Sequence, residues 1–232
     1  MEKTVADLTL YFFPGTCARV SLIALFETGA TFNAKVVNPF KGENGTPEYL
    51  ALNPSGKVPT LVIDGKPLIE TIAILHYLHD HFPAAKLLPY NGDRKHDTHV
   101  LADLAWLNAT VQPVLTRLRV PMAITKNPAG FRDVALAGAA EMRERFGLIE
   151  RRLGTQPYIG GEEYSIFDAH VTWLLDESTV AGLTTEEFPR LRALAGLVHA
   201  RPAVQAALAR EGAAFGEMAA QGPLPPPPPK FI

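Results

Sequence analysis

At 232 residues with a net charge of −2, the chain is long enough for one large or two smaller domains, and it carries no basic excess pointing to nucleic acid or an anionic membrane. Its hydrophobic share of 47% supports a packed core, yet no apolar run reaches the roughly 18 residues of a membrane span. The single cysteine excludes an internal disulfide, and Met1–Asp7 is short and polar, so the expected setting is a reducing cytoplasm without a signal peptide.

The first informative stretch is Leu8–Gly29. Leu8–Phe13 is apolar at nearly every position, with Leu8, Leu10 and Phe12 on one face, which suits a strand buried on both sides. Pro14-Gly15 breaks it, and Thr16 offers a hydroxyl at an N-cap position. Cys17–Glu27 is helical in pattern, with Val20, Ile23, Leu25 and Phe26 as core, and Gly29 stands where a C-terminal cap glycine belongs. Cys17 thus falls in the first turn of a helix, where free N–H groups and the dipole lower a thiol's pKa. The plainer reading of the same residue is a small buried hydrophobe.

Thr31–Val37 reads as a second strand, and strand–helix–strand order implies a right-handed crossover and a parallel pair. Asn38–Gly45 is a polar loop and Pro47–Leu52 a short helix. After Asn53–Pro59, two short apolar runs, Thr60–Ile63 and Lys66–Ile69, flank Asp64-Gly65, a hairpin signal. Pro59 opens the hairpin, where a missing N–H is tolerated. Glu70–Phe82 is a helix with Ile72, Ala73, Leu75, Tyr77 and Leu78 on its apolar side. His76, His79 and His81 share this helix but no single face, so no metal site is expected.

Residues 8–82 therefore form one small α/β domain, and 83–93, rich in proline, a linker. Strand signals then vanish. Thr98–Leu118 is one long helix, with Leu101, Leu104, Ala105, Leu107 and Val111 inward and a kink at Pro113. Phe131–Leu153, Ser165–Val180, Phe188–Ala200 and Pro202–Arg210 follow, so 94–212 is all-α. Ser165 and Asp168 make a capping box with Tyr164 and Ile159 as staple residues. Residues 213–232 form a proline-rich tail whose five-proline run favours polyproline II, as a plain terminus or as a docking peptide.

Four stretches, taken together, resemble a glutathione transferase over residues 8–210. Tyr11-Phe-Phe-Pro-Gly-Thr-Cys17 is similar to the opening loop of the bacterial beta class, whose hallmark is a cysteine there. Asn53-Pro-Ser-Gly-Lys-Val-Pro-Thr-Leu61 resembles the entry to the family's third strand, Leu68-Ile-Glu-Thr-Ile-Ala-Ile74 its acidic-hydroxyl helix start, and Ser165-Ile-Phe-Asp168 its capping box. The resemblance implies an N-terminal thioredoxin-like domain (βαβαββα) and a C-terminal all-helical domain.

The resemblance also implies the chemistry: conjugation of the glutathione thiolate to a small hydrophobic electrophile by a cytoplasmic, homodimeric detoxification enzyme, with glutathione as co-substrate and no other cofactor. Cys17 would sit by the glutathione sulfur. A cis Val58-Pro59 bond would turn the Val58 backbone towards the ligand. Lys57 belongs to the same loop. Glu70 and Thr71 would take the γ-glutamyl ammonium and carboxylate, Lys41 the glycyl end, and Asn108 would reach the neighbouring subunit's ligand. Phe12, Arg19, Leu115, Thr116 and Arg119 are the candidate walls of the electrophile pocket. Phe12 stands where beta-class members often have a tyrosine, and Gln112–Thr116 lacks the His-Lys pair of well-known members. Two rivals remain open: thiol–disulfide exchange through Cys17, and a non-catalytic binding protein that docks through its tail.

Overall fold

The computed structural model describes residues 6–224 and 230–232 and divides into two compact units, residues 6–87 with 202–224 and residues 88–201 with 230–232. The five-proline run, 225–229, expected to favour polyproline II, lies outside the described residues.

The first unit is built on a four-stranded mixed sheet in the order β2-β1-β3-β4, with β1 Leu8–Phe12, β2 Asn33–Val36, β3 Thr60–Ile63 and β4 Lys66–Ile69. The parallel partner of β1 is β2, with Phe12 opposite Val36. On its other side β1 runs antiparallel to β3, with Tyr11 opposite Thr60. Asp64 (φ 48°) and Gly65 (φ 78°) make the expected tight β3–β4 turn. Strand parity sends Leu8, Leu10 and Phe12 into the core, all at most 1% exposed. The opposite face is only partly covered, contrary to a strand buried on both sides: Tyr11 and Thr9 are half-buried, and Tyr11 packs on Tyr49.

Helix α1 (Ala18–Thr28) ends on Gly29 in the left-handed conformation, as its sequence predicts. Helix α2 is Pro47–Leu52 and α3 is Thr71–His81. The buried stripe of α3 is Thr71, Ile74, Leu75 and Leu78, so the expected core positions Ile72, Ala73 and Tyr77 stand at its margin. The last helix of the unit comes from far along the chain. Pro202–Ala220 is ten residues longer than the expected Pro202–Arg210, and it packs on α1 rather than joining the helical half. Its stripe Val204, Ala207, Glu211, Ala214 and Met218 is buried, and nothing in the alanine-rich run stops a helix before Gly222.

The second unit contains α4 (Arg94–Trp106), α5 (Gln112–Arg119), α6 (Phe131–Leu153), α7 (Ile166–Val180) and α8 (Pro189–His199). The expected single helix Thr98–Leu118 is divided by a π-helical turn, Leu107–Val111, just before Pro113. Proline lacks the N–H for a regular helical bond and its ring crowds the carbonyl four residues back, and a widened turn relieves both. The buried stripe runs through Val100, Leu104, Leu107 and Val111, which leaves Leu101, expected inward, 41% exposed. Asp168 caps α7 by accepting from Ser165 N–H, and it also accepts from Ile159 N–H, each at 2.8 Å. Ile159 thus contributes its backbone to the cap. Phe231 packs edge-on against Phe131 at the start of α6.

Candidate functional site

The site is organised by the loop between β1 and α1. Gly15 turns the chain at φ 72°. Thr16 donates its hydroxyl to the Phe13 carbonyl at 2.7 Å and accepts from Ala18 N–H at 3.3 Å, while the N-cap position of α1 falls to Cys17, one residue later than the sequence suggests. Cys17, half-buried, therefore sits at the N-terminal boundary of α1, with its Sγ 3.7 Å from the Val58 carbonyl oxygen.

Val58 belongs to a loop whose carbonyls are held one after another. The Val58-Pro59 bond is cis. Gly56 O accepts from Asn44 Nδ2 at 3.0 Å. Lys57 O accepts from the Tyr49 hydroxyl at 2.6 Å and from Asn53 Nδ2 at 2.8 Å. Val58 O faces Cys17. Among the described residues no acceptor is assigned to the Val58 N–H. A cavity of about 280 Å³ opens here, lined by Phe13, Val37, Pro39 and Asn44 together with Cys17, Gly56, Lys57 and Val58. Three sequence-predicted residues, Cys17, Lys57 and Val58, thus meet at one surface.

Glu70 and Thr71 open α3 and are not among the residues that line this cavity. The β3–β4 ladder ends where Thr60 pairs with Ile69, one residue after Pro59 and one before Glu70. Glu70 is exposed, at φ 73°, at the N-terminus of α3, with Thr71 buried beneath it. A non-glycine residue held there costs about 1–3 kcal/mol, and such strain collects at ligand sites.

Other predicted residues are placed differently. Phe12 is 0% exposed, so it is core and not a pocket wall; the parity of β1 presents Phe13 to the cavity instead. Arg19 is held in an ion pair, its Nε donating to Glu211 at 2.8 Å, with side-chain exposures of 12% and 5%. Glu211 also accepts the Gly15 N–H at 3.0 Å. Glu211 was not among the predicted site residues, yet one acidic residue on the apolar stripe of the last helix is a readable signal. Lys41 is exposed and donates to the Gln221 carbonyl at 2.9 Å, outside the cavity lining. In the helical unit, Asn108 lies in the π turn, Leu115 is buried, Thr116 is exposed, and Arg119 pairs with Glu177 at 2.5 Å.

Among the described residues, no group of histidine, cysteine and carboxylate side chains is arranged to hold a metal ion, and no helix is long and apolar enough to cross a membrane.

Residues 6–80 match the family model described as glutathione S-transferase, N-terminal domain. Over 209 residues the chain is 30% identical to glutathione S-transferase GstA of Escherichia coli O157:H7, covering 88% of this chain and 99% of the relative. A glutathione transferase homologue from Sulfitobacter, solved with bound glutathione, superposes with a TM-score of 0.80 at 27% identity, covering 89% of this chain and 99% of that one. The beta-class glutathione S-transferase of Sphingomonas chungbukensis superposes with a TM-score of 0.77 at 31% identity over 88% of this chain and 98% of its own.

Proposed function

Because this chain belongs to the glutathione S-transferase family, we propose that it transfers the glutathione thiolate to a small hydrophobic electrophile as a cysteine-type, beta-class-like enzyme. The observation that carries this reading is Cys17 Sγ 3.7 Å from the Val58 carbonyl, beside an amide with no assigned acceptor and a cavity of about 280 Å³.

Glutathione is an extended tripeptide with two carboxylates, an ammonium and a thiol. Its backbone adds to the loop through the Val58 N–H, in the manner of β-augmentation. The γ-glutamyl ammonium faces Glu70, and the carboxylate beside it meets the free N–H groups that begin α3 at Thr71. Lys57 and Lys41 serve the glycyl carboxylate. Cys17 donates its S–H to the glutathione sulfur and holds it as the thiolate. That sulfur's lone pair forms the new C–S bond, the leaving group departs with its bonding pair, and the proton lost from glutathione passes to solvent. Glutathione is the co-substrate, and no further cofactor takes part. The proposal includes a cytoplasmic homodimer in which Asn108 reaches the neighbouring subunit's ligand.

Calorimetric titration of reduced glutathione into the pure protein is the first test. Binding heat together with conjugation of an aryl halide is the expected result, and the absence of heat would sink the reading. A second reading rests on the half-buried position of the chain's only cysteine at the cavity. There the Cys17 thiolate attacks the glutathionyl sulfur of a mixed disulfide, the substrate leaves as a thiol, and a second glutathione resolves the Cys17 adduct to glutathione disulfide. Cys17→Ala separates the two. Loss of disulfide reduction with conjugation retained favours exchange, whereas a lowered kcat for conjugation favours transfer.

A further inference from the structure

Behind the cavity lies a closed ring of hydrogen bonds whose side chains, Tyr49, Asn53 and Thr60, line no part of it. The Tyr49 hydroxyl donates to Lys57 O at 2.6 Å, and Asn53 Nδ2 donates to the same oxygen at 2.8 Å and to Thr60 Oγ1 at 3.0 Å. Tyr49 Oη lies 3.1 Å from Thr60 Oγ1. The single Tyr49 proton is engaged by Lys57 O, so the Thr60 hydroxyl donates to Tyr49 and the ring closes with every donor used. All three side chains are buried, at 5%, 3% and 0% exposure. Asn53 Oδ1 in turn accepts from Ser55 N–H at 3.1 Å and Ser55 Oγ at 2.6 Å, so the amide is fully satisfied. Burial raises the Tyr49 pKa above its usual 10, against the lowering by the hydrogen bond from Thr60, and keeps the hydroxyl a donor.

The placement matters more than the count of bonds. Lys57 O belongs to the peptide unit whose N–H is that of Val58. A donor on that carbonyl fixes the plane of the peptide, and so the direction of the Val58 N–H. Thr60, at the other end of the ring, is the first residue of β3. The ring therefore clamps the backbone on both sides of Val58-Pro59, from a six-residue helix that lines no part of the cavity. Were the ring only a packing device, apolar side chains of the same shape would serve α2 as well, because a buried polar network is stabilising only when fully satisfied.

We propose that Tyr49 and Asn53 are positioning residues for glutathione, setting the direction of the Val58 amide through the Lys57 carbonyl. The inference rests on the glutathione reading given above. It concerns affinity for the tripeptide and leaves the chemistry at Cys17 untouched.

The test uses the full chain and compares Tyr49→Phe, which keeps the ring packed on Tyr11, and Asn53→Asp, which keeps the acceptor for Ser55 but loses both Nδ2 donors. Tyr77→Phe in α3 is the control for loss of a tyrosine hydroxyl outside the ring. Three readouts are taken at a temperature where each variant is folded: the Kd for reduced glutathione by calorimetry, kcat at saturating glutathione, and the rate at which iodoacetamide alkylates Cys17 in the ligand-free protein. Each ring variant is expected to weaken glutathione by about three- to tenfold, the range for the one hydrogen bond to Lys57 O that each of them loses. Its kcat and alkylation rate should stay within about twofold of wild type, with Tyr77→Phe unchanged throughout. A Tyr49→Phe protein that melts lower but binds glutathione as wild type does would assign the ring to stability alone and overturn the proposal. An altered alkylation rate with unchanged Kd would also overturn it, by moving the effect to the thiol. Wild type without binding heat ends the glutathione reading and this inference with it, whereas wild-type binding matched by both variants ends this inference only. If one variant does not fold, the other decides by the same readouts.

Discussion

Glu211 accepts the backbone N–H of Gly15 at 3.0 Å across 196 residues of chain. The same carboxylate takes Arg19 Nε at 2.8 Å, so one buried group on the last helix holds the chain on either side of Cys17, at Gly15 in the loop before it and at Arg19 in α1 after it. Glu211→Ala removes this partner from Arg19 and this acceptor from the Gly15 amide, where the Arg19 and Glu211 side chains are at most 12% exposed. Removing one member of a buried pair costs about 3–5 kcal/mol, and here the lower end is expected because Arg19 keeps some access to water. Urea unfolding should show Glu211→Ala losing about 3 kcal/mol and Glu211→Gln, which still accepts from Gly15, losing less. Equal stability of the three proteins would contradict the assignment.

Gly56 is the second point where a small change should reach the cavity. Its φ is +61°, and a Cβ there would stand 2.9 Å from the Asn44 carbonyl oxygen. The obstacle is backbone, which cannot swing away as a side-chain end can. Gly56→Ala therefore combines the cost of a left-handed alanine, about 1 kcal/mol or more, with displacement of the Asn44 strap that binds Gly56 O. A thermal melt should show the loss of stability, and the Kd for glutathione should rise because Lys57 and Val58 follow directly in the chain. Unchanged Kd and melting temperature would show that the wall of the cavity yields more easily than its geometry implies.

The two outcomes bear on what could be read before the structure. The turn at Pro14-Gly15 and the hairpin at Asp64-Gly65 were legible because each marks a break in hydrophobic period with residues suited to positive φ. The inward set Leu8, Leu10, Phe12 was legible too, and the same parity already implies that Phe13 faces the other way, although Phe12 was assigned to the pocket. Contacts made by distant segments were not legible. Nothing local to Gly15 announces Glu211, and the alanine-rich run after Arg210 has no periodic signal saying which half of the chain it joins. The break before Pro113 was visible, but its form, a π turn over Leu107–Val111, depends on how neighbouring helices receive the widened turn. The ring around Lys57 O involves Tyr49, Asn53 and Thr60, and the short helix and strand that carry them were recognised without the bonds between them.

His170 makes the stability of the protein depend on pH. It lies on α7, is 1% exposed, and packs 5.7 Å from Trp173, with neither ring nitrogen partnered among the described residues. Burial lowers its pKa from 6.5 to about 4. The unfolded chain therefore binds a proton below about pH 6.5 that the folded chain refuses until about pH 4, so stability is full above that window and falls as pH drops through it. Between about pH 7.5 and about pH 5 the loss should be about 2 kcal/mol. Asp168 works in the opposite sense: burial raises its carboxyl above 3.8 despite the bonds from Ile159 and Ser165, so its contribution declines as pH rises through that region. Measuring wild type against His170→Leu at both pH values cancels the Asp168 part. The wild type should lose about 2 kcal/mol more than the variant on acidification, and parallel behaviour would show that His170 finds a partner in solution.

Gly138 sets two familiar effects against each other in the helical unit. It lies inside α6, where alanine would gain about 1 kcal/mol in helix propensity. A Cβ at this position, however, would come within 2.8 Å of the Leu118 backbone nitrogen and 3.1 Å of Arg117 Cβ, the point where α5 crosses α6. Overpacking of a close contact costs about 1–3 kcal/mol, and the upper part of that range applies because one of the obstacles is main chain at the end of a helix. The steric cost therefore outweighs the propensity gain, and Gly138→Ala should be destabilised by about 1–2 kcal/mol in urea. A second substitution on the same helix isolates the cause: Gly147→Ala meets only the far end of the Arg151 side chain at 3.5 Å and should be stabilised by up to about 1 kcal/mol. If both variants gained stability, the α5–α6 crossing would have to be looser than the Gly138 geometry requires.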